Sequence, residues 1–280
     1  MKQLWTEQAV QELPSAIKNK KYTLITGASS GIGKAFAFEC ASRGMNLLLV
    51  ALPEPILQET KDQILEKTPV EVLTYGMDLT DPAAIEALYT YCIDKNIEVN
   101  MLINNAGMGA GGKFENIKLE VYLSMLKLNN QALTLMTYHF LPMLKQQTSA
   151  FILNMSSMEA TLPLPYKSVY TGTKNFVYAF SLALREELHH SSIKVSVVCP
   201  GPVMTNPEAL KRMHAHGSRA KLVTLMPEEV AAIGIKNLLK GKGVTVPGKI
   251  NWMIVKLMKF FPTNQKMKIL ERLFRVYSDH

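Results

Sequence analysis

The chain has no uninterrupted apolar run of about 18 residues or more, which a membrane-spanning helix would need. Its opening stretch, MKQLWTEQAVQELPSAIKNKK, mixes charges and amides and holds no apolar block of about 7 to 15 residues, so it does not read as a secretory leader. Cysteine is scarce. Cys40, Cys92 and Cys199 are odd in number, lack metal-ligand spacing and lie inside apolar runs, which excludes a disulfide framework and points to small buried residues in a reducing cytoplasm. No metal site is expected. Internal repeats and low-complexity linkers are missing too, so a single domain over 1–280 is expected, with a core at 21–248 and an extension at 249–280.

What is present is a composition 48% hydrophobic and 19% charged, that of a chain able to bury a sizeable core and not of a disordered or fibrous one. Short β-branched or Leu-rich runs alternate with amphipathic stretches: YTLIT, GKAFAFECASRG, NLLLVAL, a polar helix from about Glu54 to Lys67, then VEVLTYG. The alternation continues through helices at about Pro82–Lys95, Leu119–Lys145, Val169–His190 and Pro227–Lys240, with strands VNMLIN, AFILNMS, KVSVVCP and GVTVPG between and after them. Strands that read as continuous apolar runs, separated by helices, imply a doubly wound α/β fold: a parallel sheet of about seven strands covered on both faces. In such sheets ligands bind beyond the carboxyl ends of the strands.

The residues with chemical potential follow strands. After the first come Thr26-Gly27-Ala28-Ser29-Ser30-Gly31-Ile32-Gly33 and a helix, an arrangement that lets backbone N–H groups approach a pyrophosphate or forms merely a sharp connection. Asp78-Leu79 follows the third strand and Asn104-Asn105-Ala106-Gly107 the fourth, where an adenosine laid across the sheet would meet them; otherwise Asp78 caps the helix near Pro82 and the Asn pair forms a turn. Ser157 follows the fifth strand. Tyr170 and Lys174 are four apart and share a helix face, so an ammonium could draw a phenol down from its ordinary pKa, unless the two are only a surface pair.

These segments, in this order, resemble the short-chain dehydrogenase/reductase family over about Lys21–Gly248. The resemblance adds Asn129 in KLNNQ and the segment Pro200-Gly201-Pro202-Val203-Met204-Thr205. It implies an NAD(P)-dependent transfer of hydride between a nicotinamide and a carbonyl or alcohol carbon, with a catalytic tetrad of Asn129, Ser157, Tyr170 and Lys174. Tyr170 would be the general acid in reduction and the base in oxidation, Lys174 would lower its pKa and bind the ribose, Ser157 would polarise the carbonyl, and Asn129 would hold a relay water. Cofactor contacts are expected from Gly27, Ser29, Ser30, Gly31, Ile32, Gly33, Ala51, Asp78, Leu79, Asn105, Ala106, Gly107, Tyr170, Lys174, Pro200, Gly201, Val203 and Thr205. A ketone or 3-oxoacyl substrate and a homodimer are expected, and a cofactor-binding sensor without catalysis is the competing reading. A sugar epimerase is disfavoured by the glycine spacing and by the absence of a larger substrate domain.

Three stretches depart from the family pattern. The second strand ends Val50-Ala51-Leu52-Pro53-Glu54, where Ala51 replaces the acid that would bind a ribose 2′-hydroxyl; its absence leaves room for a 2′-phosphate and favours NADP(H) over NAD(H). Residues 206–225, the lid by family analogy, contain Lys211, Arg212, His214, His216, Arg219 and Lys221, a cluster suited to an anionic substrate. The tail from Lys249 to Arg275 has seven bases against one acid, Glu271, part of a net charge of +8. Its Trp252, Phe260, Phe261 and Phe274 recur with other apolar residues at helical spacing, broken at Pro262. Two short helices packed on the body or a second subunit are expected, in preference to a membrane contact, with the large side chains covered. Without a recognition module or stacking platform, the basic tail does not indicate nucleic acid.

Overall fold

The computed structural model describes residues 21–205, 222–258 and 260–275. The expected alternation is present. β1 (Lys21–Thr26), α1 (Gly31–Ser42), β2 (Asn46–Ala51), α2 (Pro55–Leu65), β3 (Val72–Gly76), α3 (Pro82–Asp94) and β4 (Glu98–Asn104) come first. They are followed by α4 (Leu119–Leu126), α5 (Leu133–Lys145), β5 (Ala150–Met155), α6 (Ser168–Glu187), β6 (Ile193–Val198), α7 (Pro227–Leu239) and β7 (Val244–Thr245). The strands form one parallel sheet in the order β3-β2-β1-β4-β5-β6-β7. Strand order reverses between β1 and β4, and the crevice there opens at their carboxyl ends.

The apolar run of β2 shows why these strands do not alternate in polarity. Leu48 and Val50 face one way, into a cluster with Leu88 of α3 and Phe140 of α5. Leu47, Leu49 and Ala51 face the other way, toward Phe36 of α1 and Ile235 of α7. Both faces are covered by helices, so every position along the strand must be apolar. The three cysteines are buried and unpaired.

The long helix expected over Leu119–Lys145 is present in extent but widens into a π-helical turn at Lys127–Ala132. Such a turn inserts an extra residue and re-aims the side chains it carries. One of them is Asn129.

The tail forms two helices, α8 (Lys249–Met258) and α9 (Thr263–Phe274), separated near Pro262 as expected. Asn251 and Val255 of α8 are buried, and Leu270 of α9 packs against Leu162 and Leu164. Of the large apolar side chains expected to be covered, Phe274 packs against the cluster of Leu162, Leu164 and Leu270, whereas three others are not covered within the single chain. Trp252 is 49% exposed, Phe260 85% and Phe261 43%. A helix offers one face to the body, and α8 carries apolar residues on both faces, so the second set points away. Among the described residues no helix is long and apolar enough to cross a membrane.

Candidate active site

The glycine-rich turn is built by close approach. Gly27 and Gly31 have φ of +67° and +54°, the left-handed region that glycine adopts without strain. A Cβ on Gly33 would lie 2.0 Å from the Gly27 carbonyl oxygen, so α1 starts in contact with the chain leaving β1. Ser30 precedes α1 in extended conformation and makes no side-chain cap, leaving the first N–H groups of the helix directed at the turn. Such a cradle suits an anion.

The NNAG segment locks this turn from the β4 side. Asn105 Nδ2 donates to the Thr26 carbonyl at 2.9 Å, while the N–H groups of Asn105 and Ala106 donate to Thr26 Oγ1, each at 3.0 Å. Asn104 belongs to a buried ladder instead: its Nδ2 donates to Thr137 and Asn154, and Asn154 Nδ2 donates to Ser181. Asp78 does not cap α3. Its Oδ1 accepts from the N–H and hydroxyl of Thr80, and Asp81 is the residue that caps the helix through Ala83. Leu79 is buried near Thr26 and Ala106, whereas Ala51 is buried at the end of β2 and Leu52 is half exposed.

Ser157, Tyr170, Lys174 and Asn129 come together beyond the carboxyl end of β5. Ser157 caps a 3₁₀ turn, its Oγ accepting from the Glu159 N–H at 3.1 Å, and its side chain is close enough to Tyr170 to favour the phenolate. Lys174 Nζ donates to the Met155 carbonyl at 2.9 Å. Gly107 packs between Asn129 and Lys174: a Cβ there would be 3.0 Å from Asn129 Oδ1 and 3.2 Å from Lys174 Nζ. Both amide hydrogens of Asn129 are committed, one to the Met108 carbonyl and one to Thr173 Oγ1, while its Oδ1 accepts from Met108 N–H. The Asn129 side chain is thus a brace, and its amide hydrogens are not available for a relay water.

The electrostatics differ from the expectation that Lys174 draws the phenol down. Burial pushes the Tyr170 hydroxyl above its ordinary range and the Glu159 carboxylate adds to this; the opposing pull comes from the Ser157 side chain. Burial also draws Lys174 down to about 8, against the smaller effects of Cys199 and Glu159. Cys199, pushed up to about 12 by burial, stays a thiol beside it.

Several residues that sequence reasoning did not single out shape the site. Glu159 Oε1 pairs with Lys167 Nζ at 3.0 Å in a largely buried contact, and its Oε2 is buried without a hydrogen-bond partner. Lys167 Nζ lies 5.9 Å from the centre of the Tyr170 ring and 5.6 Å from that of Phe274, which links α9 to the site. Tyr166, at φ +64°, donates its hydroxyl to Glu271 of α9 at 3.0 Å. Asn251 of α8 donates to the Val223 and Pro247 carbonyls and approaches Gly201 so closely that a Cβ there would meet it at 2.7 Å. An acid two residues beyond Ser157 was the one visible signal; the others depend on the tail's docking.

The 200–205 segment is held from both sides. Met158 N–H donates to the Pro200 carbonyl, and Val203 bridges Leu225. Thr205 lies against Gly31, whose Cβ would be 3.4 Å from the threonine Cβ. The cofactor turn and this segment therefore face each other. The lid cluster, including His214 and His216, lies outside the described residues.

A doubly wound parallel sheet, a glycine cradle at the start of α1 and a Ser-Tyr-Lys group beyond β5 define a dinucleotide-binding α/β protein. The short chain dehydrogenase family model matches residues 21–215. The chain belongs to that family. It is 32% identical over 198 residues to a very-long-chain 3-oxoacyl-CoA reductase of Caenorhabditis elegans, a match covering 68% of this chain and 62% of the relative. A very-long-chain 3-oxoacyl-CoA reductase of Mus musculus is 27% identical over 264 residues, 90% of this chain and 83% of the relative. Among solved structures, a short-chain dehydrogenase from Sphingobium yanoikuyae in complex with NADPH has a TM-score of 0.72 and 28% identity, with 87% of this chain and 97% of that one covered.

Proposed function

We propose that the protein is an NADP(H)-dependent reductase of an apolar ketone or 3-oxoacyl compound. The observation that carries this reading is the meeting of Ser157, Tyr170 and Lys174 beyond β5. A bound nicotinamide supplies the hydride. The chain's own groups do the rest: Ser157 holds the carbonyl oxygen beside Tyr170, and the phenol, kept protonated by burial and Glu159, gives that oxygen its proton. Lys174, with its pKa near 8, is mostly an ammonium at neutral pH and is the group suited to ribose hydroxyls. Turns at Gly27 and Gly31 and the start of α1 fit the pyrophosphate, with Asp78 and Leu79 on the adenine side and Val203 and Thr205 on the nicotinamide side. The relatives' names support the substrate class. Assaying aldehydes, ketones, steroids and acyl thioesters by loss of reduced-nicotinamide absorbance tests it, and failure of every carbonyl would overturn the reading. A homodimer in the cytoplasm completes the proposal, supported by the exposed Leu123, Tyr138 and Phe176 and by three unpaired thiols.

NADPH should bind more tightly than NADH. Ala51 puts no carboxylate at the end of β2, and the Sphingobium neighbour holds NADPH. Titration of both cofactors by nucleotide fluorescence checks this, and tighter NADH binding would show that the missing acid does not set the preference.

Glu159 should set the pH range of the reverse reaction. Its charge helps keep Tyr170 protonated, so Glu159→Gln should move the rise of alcohol-oxidation kcat/KM toward lower pH, while Glu159→Asp should keep the wild-type profile more nearly. A profile identical in all three proteins would show that the carboxylate only pairs with Lys167.

A further inference from the structure

The C-terminal helix pair has an inner face whose contacts are accounted for and an outer face whose contacts are not. On α8, Asn251 and Val255 turn inward, and Trp252, Met253 and Leu257 turn outward at 49%, 50% and 56% exposure. Phe260, the most exposed large apolar residue among the described residues, follows directly, and on α9 Leu273 is 62% exposed. Basic residues lie among them: Lys249, Lys256, Lys266, Lys268 and Arg272. Lys256 Nζ is 4.1 Å from the centre of the Trp252 ring, its aliphatic stem available to the same apolar surface. From Lys249 to Leu270 the chain has no acidic residue.

We propose that this outer face docks on an anionic lipid bilayer, with α8 and α9 lying in the interface and Phe260 entering the apolar layer. Aromatic and aliphatic side chains interleaved with lysine and arginine are what an interfacial helix needs, the former for the acyl boundary and the latter for anionic headgroups. A second copy of the chain fits less well, because a two-fold contact through this face would set the same acid-free segments against each other. The sequence-based preference for docking on the body holds for the inner face, and the lipid contact concerns the opposite one. Since α9 packs on Leu162 and Leu164 and Phe274 meets Lys167 over Tyr170, the docked protein would hold the Tyr170 side of its site near the lipid. Resting on the reductase reading above, this suits a carbonyl substrate that partitions into membranes.

The test uses the full chain, with Trp5→Phe so that Trp252 is the remaining tryptophan, and large vesicles of phosphatidylcholine alone or mixed with phosphatidylglycerol. Binding is followed by co-sedimentation and by Trp252 emission. The protein should pellet with the mixed vesicles at physiological salt with blue-shifted emission, less with phosphatidylcholine alone, and less as salt rises. Phe260→Glu should weaken binding by about tenfold or more while melting temperature and turnover of a water-soluble carbonyl stay unchanged. No pelleting with mixed vesicles, or equal pelleting of the variant, would overturn the proposal. So would a concentration-dependent dimer dissolved by Phe260→Glu without vesicle binding, which assigns the face to a second copy, or binding to an acidic polypeptide but not to vesicles. None of these readouts depends on turnover of the proposed substrate, so they fail separately from the reductase reading.

Discussion

Tyr170→Phe should lower turnover by at least about 100-fold, and by as much as about 10⁴-fold, the range over which general acid-base groups contribute. The ring itself is held by packing. A Cβ on Gly109 would come within 3.0 Å of it, and Lys167 lies over its face. Phenylalanine keeps these contacts and removes only the hydroxyl that meets Ser157. Melting temperature and cofactor affinity should therefore stay close to wild type while steady-state reduction collapses. A purified variant retaining most of its activity would remove Tyr170 from the proton-transfer role.

Gly33→Ala should be among the most damaging single-methyl additions. The new Cβ would meet the Gly27 carbonyl oxygen at 2.0 Å and its carbon at 2.7 Å, both backbone atoms that cannot rotate aside. Overpacking costs about 1–3 kcal/mol where side chains can adjust. Here α1 must move off β1, so a loss of about 3 kcal/mol, roughly 6–12 °C in melting temperature for a domain of this size, is expected. Because the displaced helix start is also the anion cradle, stabilisation by added NADPH should disappear as well. Gly172→Ala is the control: nothing lies within 4 Å of the Cβ it would add, and an alanine within α6 should be neutral or slightly stabilising. Equal melting curves for Gly33→Ala and wild type would mean that the helix start is not pressed against the turn as described.

The legibility of the site follows the range of the interactions that build it. Tyr170 and Lys174 could be paired from spacing, because helical geometry carries residues four apart to one face. Their protonation could not be read the same way. It depends on burial and on Glu159, and so on how the loop at Met158–Thr161 folds back over α6. Asn129 could be chosen, but not its bracing role, since the π-helical turn that aims it and the partners Met108 and Thr173 come from separate parts of the chain. Asp78 could be read from sequence as a possible cap of the helix near Pro82, but only local geometry assigned the cap to Asp81.

What the sequence determined by itself is the layered fold and the places where chemistry can occur. Two-sided apolar strands, helical periodicity and glycines at turns are local consequences of backbone geometry and burial, and they put the motifs at strand ends whatever the remainder of the chain does. What tertiary structure decided is the environment of those motifs: Lys167 between Tyr170 and Phe274, Asn251 against Gly201, and Trp252 and Phe260 facing outward. These depend on where the tail docks. An amphipathic pattern records that a helix has an apolar side, but when both sides carry apolar residues, only packing against the body selects which one is buried.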